Sequence, residues 1–549
     1  MRRGPSAQPA RGLAERPRAG DPGRQPTRGV TADARMFGAL VAVLLAGFVA
    51  RSLATLVPPL PVGEDGAYYL VQVRAIVQDG RLAFPDFPLL FHLQACVARL
   101  LSVMMEPRAA IVAAVRATDT VIPLALAVPV FLFARAFVRP GGRSGHGAVA
   151  VALVGLVAVA SGSSLLMAGG MIKNAAALPP GFFFAFASYQ WLREGRPGTL
   201  AWAAMWFVLA SLTHMGGFVL SAAFGAGIVA AGLATPAVRP RVWLPAIVLL
   251  AALAGCLAIV HVLDPDRARR LVHAALAPGW MFAGSPGLAW LSGSSDEGLR
   301  VLSAPAEAWL GNALGVLGVV ALWRHRIGME AATRVILVAS TLVTLAFSSP
   351  LIRPDVLERL ALLAYVPGMI PVVFLVCREA GAAVVVAPLA LAMLLHGALA
   401  VKTLGQTALV PAAYEELARF RSVLPPGRVI VIARPLLRWW VAWTMEAHFS
   451  TRAEPALAAR GAYDAVLVLD EIRSGAFGVA PGPLDVGTLG AGVRDAALLR
   501  SEVVRALADG VYFRLSAVAG TPSRTQTSIS RHPEWRGLPP PGGSAGSRP

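Results

Sequence analysis

Between residues 36 and 400 the chain alternates long apolar runs with short polar breaks. The runs fall at roughly 36–57, 88–105, 110–138, 147–168, 175–192, 199–213, 217–234, 242–263, 306–323, 335–348, 359–376 and 380–400. A helix crossing a bilayer wants about 20 apolar residues, and core strands or core helices need far fewer. The pattern predicts an all-α polytopic membrane protein with about 11–13 crossings. The pair 199–213 and 217–234, broken at Thr213-His214-Met215-Gly216-Gly217, reads as two short helices meeting at a surface. The weakest run, 88–105, is interrupted by His92, Gln94 and Arg99 and reads as interfacial or re-entrant helix.

Texture changes at both ends. Residues 1–35 are rich in Arg, Pro and Gly and read as a disordered tail. They are too long and polar for a signal peptide, and Met36, which opens the first run, is an alternative start. Residues 401–520 carry short β-type runs at 428–433, 463–470 and 511–518, with helical stretches at 411–423 and 494–508 between them. That predicts a small C-terminal α/β extramembrane domain, either a packing module or part of a site. Residues 521–549 read as a second disordered tail.

Composition sharpens the class. Of 549 residues 56% are hydrophobic and 15% charged, with mean hydropathy +0.62, whereas soluble domains are about a quarter charged. A soluble enzyme, a disulfide scaffold and a disordered chain are excluded. The net charge of +18 is no nucleic-acid footprint, because the excess Arg sits in the tails and in short loops, as in positive-inside topology. Placing the Arg-bearing loops at 135–143, 193–196, 239–241 and 324–334 in the cytoplasm puts 58–87, 169–174, 213–216, 264–305 and 349–358 outside. The expectation is a multi-pass protein of the cytoplasmic membrane, with its N-terminus inside and its C-terminal domain outside. Cys96, Cys256 and Cys377 lie in or beside apolar runs and read as packing residues.

Candidate chemistry concentrates in the first outer loop, 58–87. Glu64 and Asp65 precede Tyr68 and Tyr69, and Leu70, Val73, Ile76 and Val77 share one face of a helix that ends at Asp79-Gly80. This predicts an amphipathic helix lying on the membrane. The acidic pair reads either as a helix cap or as a carboxylate held at the surface to deprotonate an acceptor hydroxyl. Lys173-Asn174, in a chain with Lys402 as its only other lysine, reads as a phosphate-binding point charge or as a snorkelling residue. His214 reads as an anion ligand at a helix break or as a solvated imidazole. Arg353, Glu358 and Arg359 open a span from outside, as functional groups or as an ion pair. Arg116 and Asp119 are expected to pair with each other, and Asp264-Pro-Asp266 reads as a helix start. Trp280, Trp290, Trp309, Trp323, Trp439, Trp440 and Trp443 read mostly as membrane-interface residues.

The acidic pair, the two aromatics, the helix ending in Asp-Gly and the following aromatic-Pro resemble the first outer loop of GT-C membrane glycosyltransferases. These include protein O-mannosyltransferases and aminoarabinose transferases. The resemblance covers about 35 residues in motif and departs in one place. Asp86-Phe87-Pro88 stands where aminoarabinose transferases carry Lys-Pro-Pro. It implies a GT-C-like fold, a polyprenyl-phosphate sugar donor, a glycan, lipid or protein acceptor, and Asp65 or Glu64 as general base. Tyr68, Lys173, Asn174, His214, Arg353, Glu358 and Arg359 are the expected substrate-binding residues, and Glu358-Arg359 resembles the family's late outer segment. No metal site is evident in the sequence. Two rival readings are a transporter or flippase for a lipid-linked or small anionic substrate, and a non-catalytic membrane scaffold presenting 401–520. No P-loop, G-x-S-x-G or H-E-x-x-H motif is present.

Overall fold

A computed structural model of the chain describes residues 27–63, 65–138, 144–263, 303–406, 409–472 and 501–519, with isolated positions between 265 and 279 and at 476 and 498–499. The apolar runs fold as helices: α1 (Thr27–Thr55), α2 (Gly66–Asp79), α3 (Leu89–Leu101), α4 (Pro107–Val121), α5 (Ala127–Phe137), α6 (Ser144–Ala160), α7 (Gly162–Leu166) and α8 (Ile172–Glu194). The bundle continues through α9 (Pro197–Thr213), α10 (Met215–Leu233), α11 (Arg239–Leu263), α12 (Ser303–Arg324), α13 (Ala331–Phe347), α14 (Pro354–Arg378) and α15 (Ala382–Gln406). Among the described residues seven helical stretches are long and apolar enough to cross a membrane, and four shorter apolar helices accompany them. This is an integral-membrane architecture. α14 is its axis, enclosed almost all round by α5, α6, α12 and α13. α1 begins at Thr27, so residues 27–35, expected in the tail, are helical; residues 1–26 and 520–549 lie outside the described residues.

Charges inside the bundle are paired differently from the sequence expectation. Asp119 pairs with Arg51 of α1 at 2.9 Å and accepts the Gly169 N–H at 2.8 Å. Arg116 instead donates to the carbonyls of Thr55, Leu56, Pro58 and Pro59. A helix's last carbonyls have no intrahelical partner, and a guanidinium with five donors can serve several at once. That local demand at the end of α1 outcompetes the neighbour three residues along α4.

After α15 come α16 (Pro411–Phe420), β1 (Val429–Ile432), α17 (Arg438–Thr444), β2 (His448–Ser450), α18 (Ala453–Ala458), β3 (Ala465–Glu471), β4 (Val503–Asp509) and β5 (Phe513–Val518). The sheet order is β2-β1-β3-β5-β4. β1 lies parallel to both β2 and β3, while β5 runs antiparallel to β3 and β4. The expected helix at 494–508 is overturned over its second half, where β4 stands. Its Ala, Leu and Arg residues favour helix intrinsically, but pairing with β5 supplies the ladder, and tertiary context decides.

Alternation along the strands gives the sheet two apolar faces. Ile430, Ile432, Val466 and Val468 pack with Leu457 of α18 and Tyr463. Val429, Val431, Leu467 and Leu469 join Leu70, Val73 and Ile76 of α2, together with residues of α3 and α4, in one core. The amphipathic face of α2, expected to lie on lipid, is therefore covered by protein. Trp439, Trp440 and Trp443, expected at the membrane interface, are buried in the same core, whereas Trp309 and Trp323 are exposed on the bundle. Trp280 and Trp290 lie outside the described residues, as do residues 264 and 266 of the Asp264-Pro-Asp266 motif.

Candidate functional site

The site grows from the seam between two loops. Gly63 and Gly169 both adopt left-handed backbone conformations, with φ of 83° and 70°. A side chain on Gly63 would strike the Gly170 backbone, and one on Gly169 would strike the Val62 carbonyl. Glycine is required at both positions, for its conformation and for the close approach. This contact brings the start of α2, carrying Asp65, against the start of α8, carrying Lys173.

Asp65 stands at the N-cap of α2 and makes no side-chain cap hydrogen bond, so capping does not account for its carboxylate. Its Oδ1 accepts from Arg438 Nη2 at 3.1 Å and from Trp439 Nε1 at 3.0 Å. No contact among the described residues falls on Oδ2, and the side chain is 41% exposed. Glu64 lies outside the described residues.

One turn on, the Tyr68 hydroxyl donates to Asp86 and accepts from Gln72 Nε2 at 2.8 Å. Gln72 also exchanges hydrogen bonds with the Phe84 backbone, at 3.0 and 3.1 Å, and so pins the loop to α2. Asp86 receives the Lys173 ammonium in addition, at side-chain exposures of 5% and 12%. That ammonium lies 5.3 Å from the Tyr68 ring centroid and 5.4 Å from that of Phe91, in cation–π range. Burial pushes the Asp86 carboxyl up, but the Lys173 charge and the hydrogen bonds from Lys173, Tyr68 and the Phe87 N–H outweigh it and leave the group below the usual carboxylate range. Burial, with the Asp86 charge beside it, raises the Tyr68 phenol well above its ordinary value. At neutral pH Asp86 is therefore a carboxylate and Tyr68 a neutral phenol.

His214 caps α10, its Nδ1 accepting the Gly216 N–H at 2.9 Å. The Asn174 amide oxygen sits where a Gly216 side chain would be, which brings Asn174 and His214 together. The structure thus makes Asp65, Tyr68, Lys173, Asn174 and His214 one contiguous polar stretch at one end of the bundle. Arg353, Glu358 and Arg359 open α14 beside α12, where Leu357 packs on Ala308. No contact among the described residues joins them to that stretch, and Glu358 and Arg359 form no ion pair with each other. Among the described residues no cluster of three or more His, Cys, Asp or Glu could hold a metal.

Three residues escaped the sequence reading as site members. Asp86 was visible only as the residue replacing a family lysine. Arg438 and Trp439 gave a composition signal, the Arg-Trp-Trp-Val-Ala-Trp run, which interface tryptophans also produce.

No family model matches this chain, and no curated protein matches it in sequence. Solved structures resemble it in fold. ArnT from Cupriavidus metallidurans in the apo state is 14% identical, with a TM-score of 0.48, 89% of this chain and 98% of that chain being covered. ArnT from the same organism bound to undecaprenyl phosphate is 13% identical, with a TM-score of 0.50 and coverage of 88% and 98%. The fold of this chain is accordingly GT-C-like, as the outer-loop resemblance implied.

Proposed function

We propose that this protein is a glycosyltransferase of the cytoplasmic membrane that moves a sugar from a polyprenyl-phosphate donor to an acceptor on the outer face. The observation that carries the reading is the Asp65 carboxylate at the start of α2, with Oδ1 held by two N–H donors and Oδ2 touched by none of the described residues. The fold shared with ArnT, one of whose structures holds undecaprenyl phosphate, supports a polyprenyl-phosphate carrier. In the reaction an acceptor oxygen attacks the anomeric carbon as the bond from that carbon to the phosphate oxygen breaks. The phosphate leaves with the electron pair, and the acceptor proton passes to Asp65 Oδ2. Glu64 is the neighbouring carboxylate. Lys173, Arg353 and Arg359 supply positive charge for the leaving phosphate, and Tyr68, Asn174, His214 and Glu358 contribute further substrate contacts. The acceptor is a glycan, a lipid or a protein.

The test uses membranes carrying the chain and a panel of radiolabelled undecaprenyl-phosphate sugars. Asp65→Asn keeps size and most hydrogen bonding but removes the base, so transfer should fall by ~10²–10⁴-fold while undecaprenyl phosphate still binds. Glu64→Gln should cost less. Full transfer by the double Glu64→Gln, Asp65→Asn variant would overturn the reading.

A further inference from the structure

We infer that α17 is the positioning element for Asp65, with Arg438 and Trp439 as positioning residues, so that the sheet-bearing segment is an obligatory half of the site. The inference rests on the reading of Asp65 as general base. A carboxylate at a loop–helix junction, 41% exposed, is free to rotate, and proton abstraction needs a fixed oxygen at a fixed distance. Two donors converging on Oδ1 set the carboxylate plane and leave Oδ2 as the reacting oxygen. Both groups act here only as donors. The indole N–H cannot accept, and the guanidinium is a planar fork that stays charged.

α17 is itself held from the opposite end. Arg74 of α2 donates to the carbonyls of Ala442 and Trp443 at 2.9 and 3.1 Å, and Arg108 of α4 donates to Trp443 O at 2.6 Å. Their guanidinium carbons lie 5.2 and 4.7 Å from the Trp443 ring centroid. Cations suit the carbonyl end of a helix. α2 and α17 are therefore tied at two points, Asp65 to Arg438 and Trp439 at their starts and Arg74 to the end of α17. Between these points the Trp439 ring packs 4.6 Å from Tyr68 and 5.2 Å from Phe84. A contact that served docking alone would not need the indole N–H aimed at the same oxygen as the guanidinium.

The isosteric variants separate positioning from packing. Trp439→Phe keeps an aromatic ring against Tyr68 and Phe84 but loses the donor, and Arg438→Lys keeps the charge but loses the fork. With the undecaprenyl-phosphate sugar that serves in the transfer assay, each should lower kcat by ~10–10²-fold and leave KM, undecaprenyl phosphate binding and the melting temperature unchanged. In the Asp65→Asn background neither should lower kcat further, because groups acting as a unit are not additive. Trp440→Phe, on the buried side of the same helix against Tyr414, should lower the melting temperature and keep kcat in the folded fraction. Unchanged kcat in Trp439→Phe and Arg438→Lys, with Asp65→Asn inactive, would overturn the positioning role and leave the base intact. An active Glu64→Gln, Asp65→Asn double variant would instead remove the proposed function beneath it. Loss of kcat in Trp440→Phe equal to that in Trp439→Phe would reduce α17 to packing.

Discussion

Lys173 and Asp86 illustrate how a buried charge is made tolerable. Each side chain is almost wholly covered, and an isolated charge there would neutralise rather than persist. The pair survives because Tyr68 donates to Oδ2 beside Lys173, the Phe87 N–H serves Oδ1, and aromatic faces flank the ammonium. The Asp86 carboxyl is depressed when folded, so its contribution to stability is complete above about pH 4, where the unfolded carboxyl is ionised. That contribution is lost as pH falls through the lower, folded value. As far as Asp86 contributes, melting temperatures of the purified protein should hold from pH 7 to about pH 4 and decline below it, and Asp86→Asn should flatten that decline while lowering the plateau. An unaltered acid limb in Asp86→Asn would show that other carboxylates carry it. Arg51 and Asp119, buried inside the bundle at 2.9 Å, make the same point more severely. Asp119→Leu should cost about 3–5 kcal/mol by leaving Arg51 unpaired, and adding Arg51→Met should recover part of it. Unfolding midpoints of the three proteins decide this, and a double variant no better than the single would refute it.

At the scale of elements, what is decided is where a face is covered. α2 is amphipathic by sequence, and amphipathicity alone cannot distinguish lipid from a protein lid. Here the lid is the sheet, and the α2 core residues are shared with β1 and β3. The β4–β5 hairpin shows a related device. Glu416 of α16 accepts the N–H groups of Val511, Tyr512 and Phe513 at 2.7 to 3.2 Å. Glu416→Gln replaces one acceptor with a donor facing those N–H groups. It should cost about 1–3 kcal/mol and speed amide exchange at 511–513, with exchange in β1 unchanged. The Gly63–Gly169 seam is equally local. Gly169→Ala meets both an unfavourable φ and the Val62 backbone, so it should move the α8 start away from Asp65. Loss of undecaprenyl phosphate binding with the bundle still folded is the expected signature, and normal binding would count against the seam as a positioning contact.

For the whole molecule, the arginine loops and the helix ends make one consistent arrangement. Asp65, Lys173 and His214 stand at one end of the bundle, and Arg193, Arg324 and Glu330 at the other, where Arg193 and Glu330 approach within 3.5 Å. We propose from the positive-inside rule that the arginine-bearing end faces the cytoplasm. Cysteines introduced at positions 195 and 325 should resist an impermeant thiol reagent in intact cells, and one at 450 should react. Reaction at 195 would invert the orientation, because Arg193 and Arg196 flank it. Because α2 and the sheet share a core, removal of residues 409–519 should destabilise the outer loop as well, read as protease cleavage between 58 and 87 that the full chain resists.

Hydropathy by itself determined the membrane class, the order of the helices and three of the five strands among the described residues, because burial in lipid or in a sheet leaves a periodic mark on each segment separately. Asp65 stands out in the sequence for a related reason, as a charge soon after a span. Pairings between distant segments leave no such mark. Arg438 meets Asp65 across 373 positions and Lys173 meets Asp86 across 87, and nothing local in either segment selects its partner. The tertiary structure alone decided that Asp119 belongs to Arg51, that the tryptophan run is core, and that 503–509 is strand. Each is a competition between partners that become available only once the chain has folded.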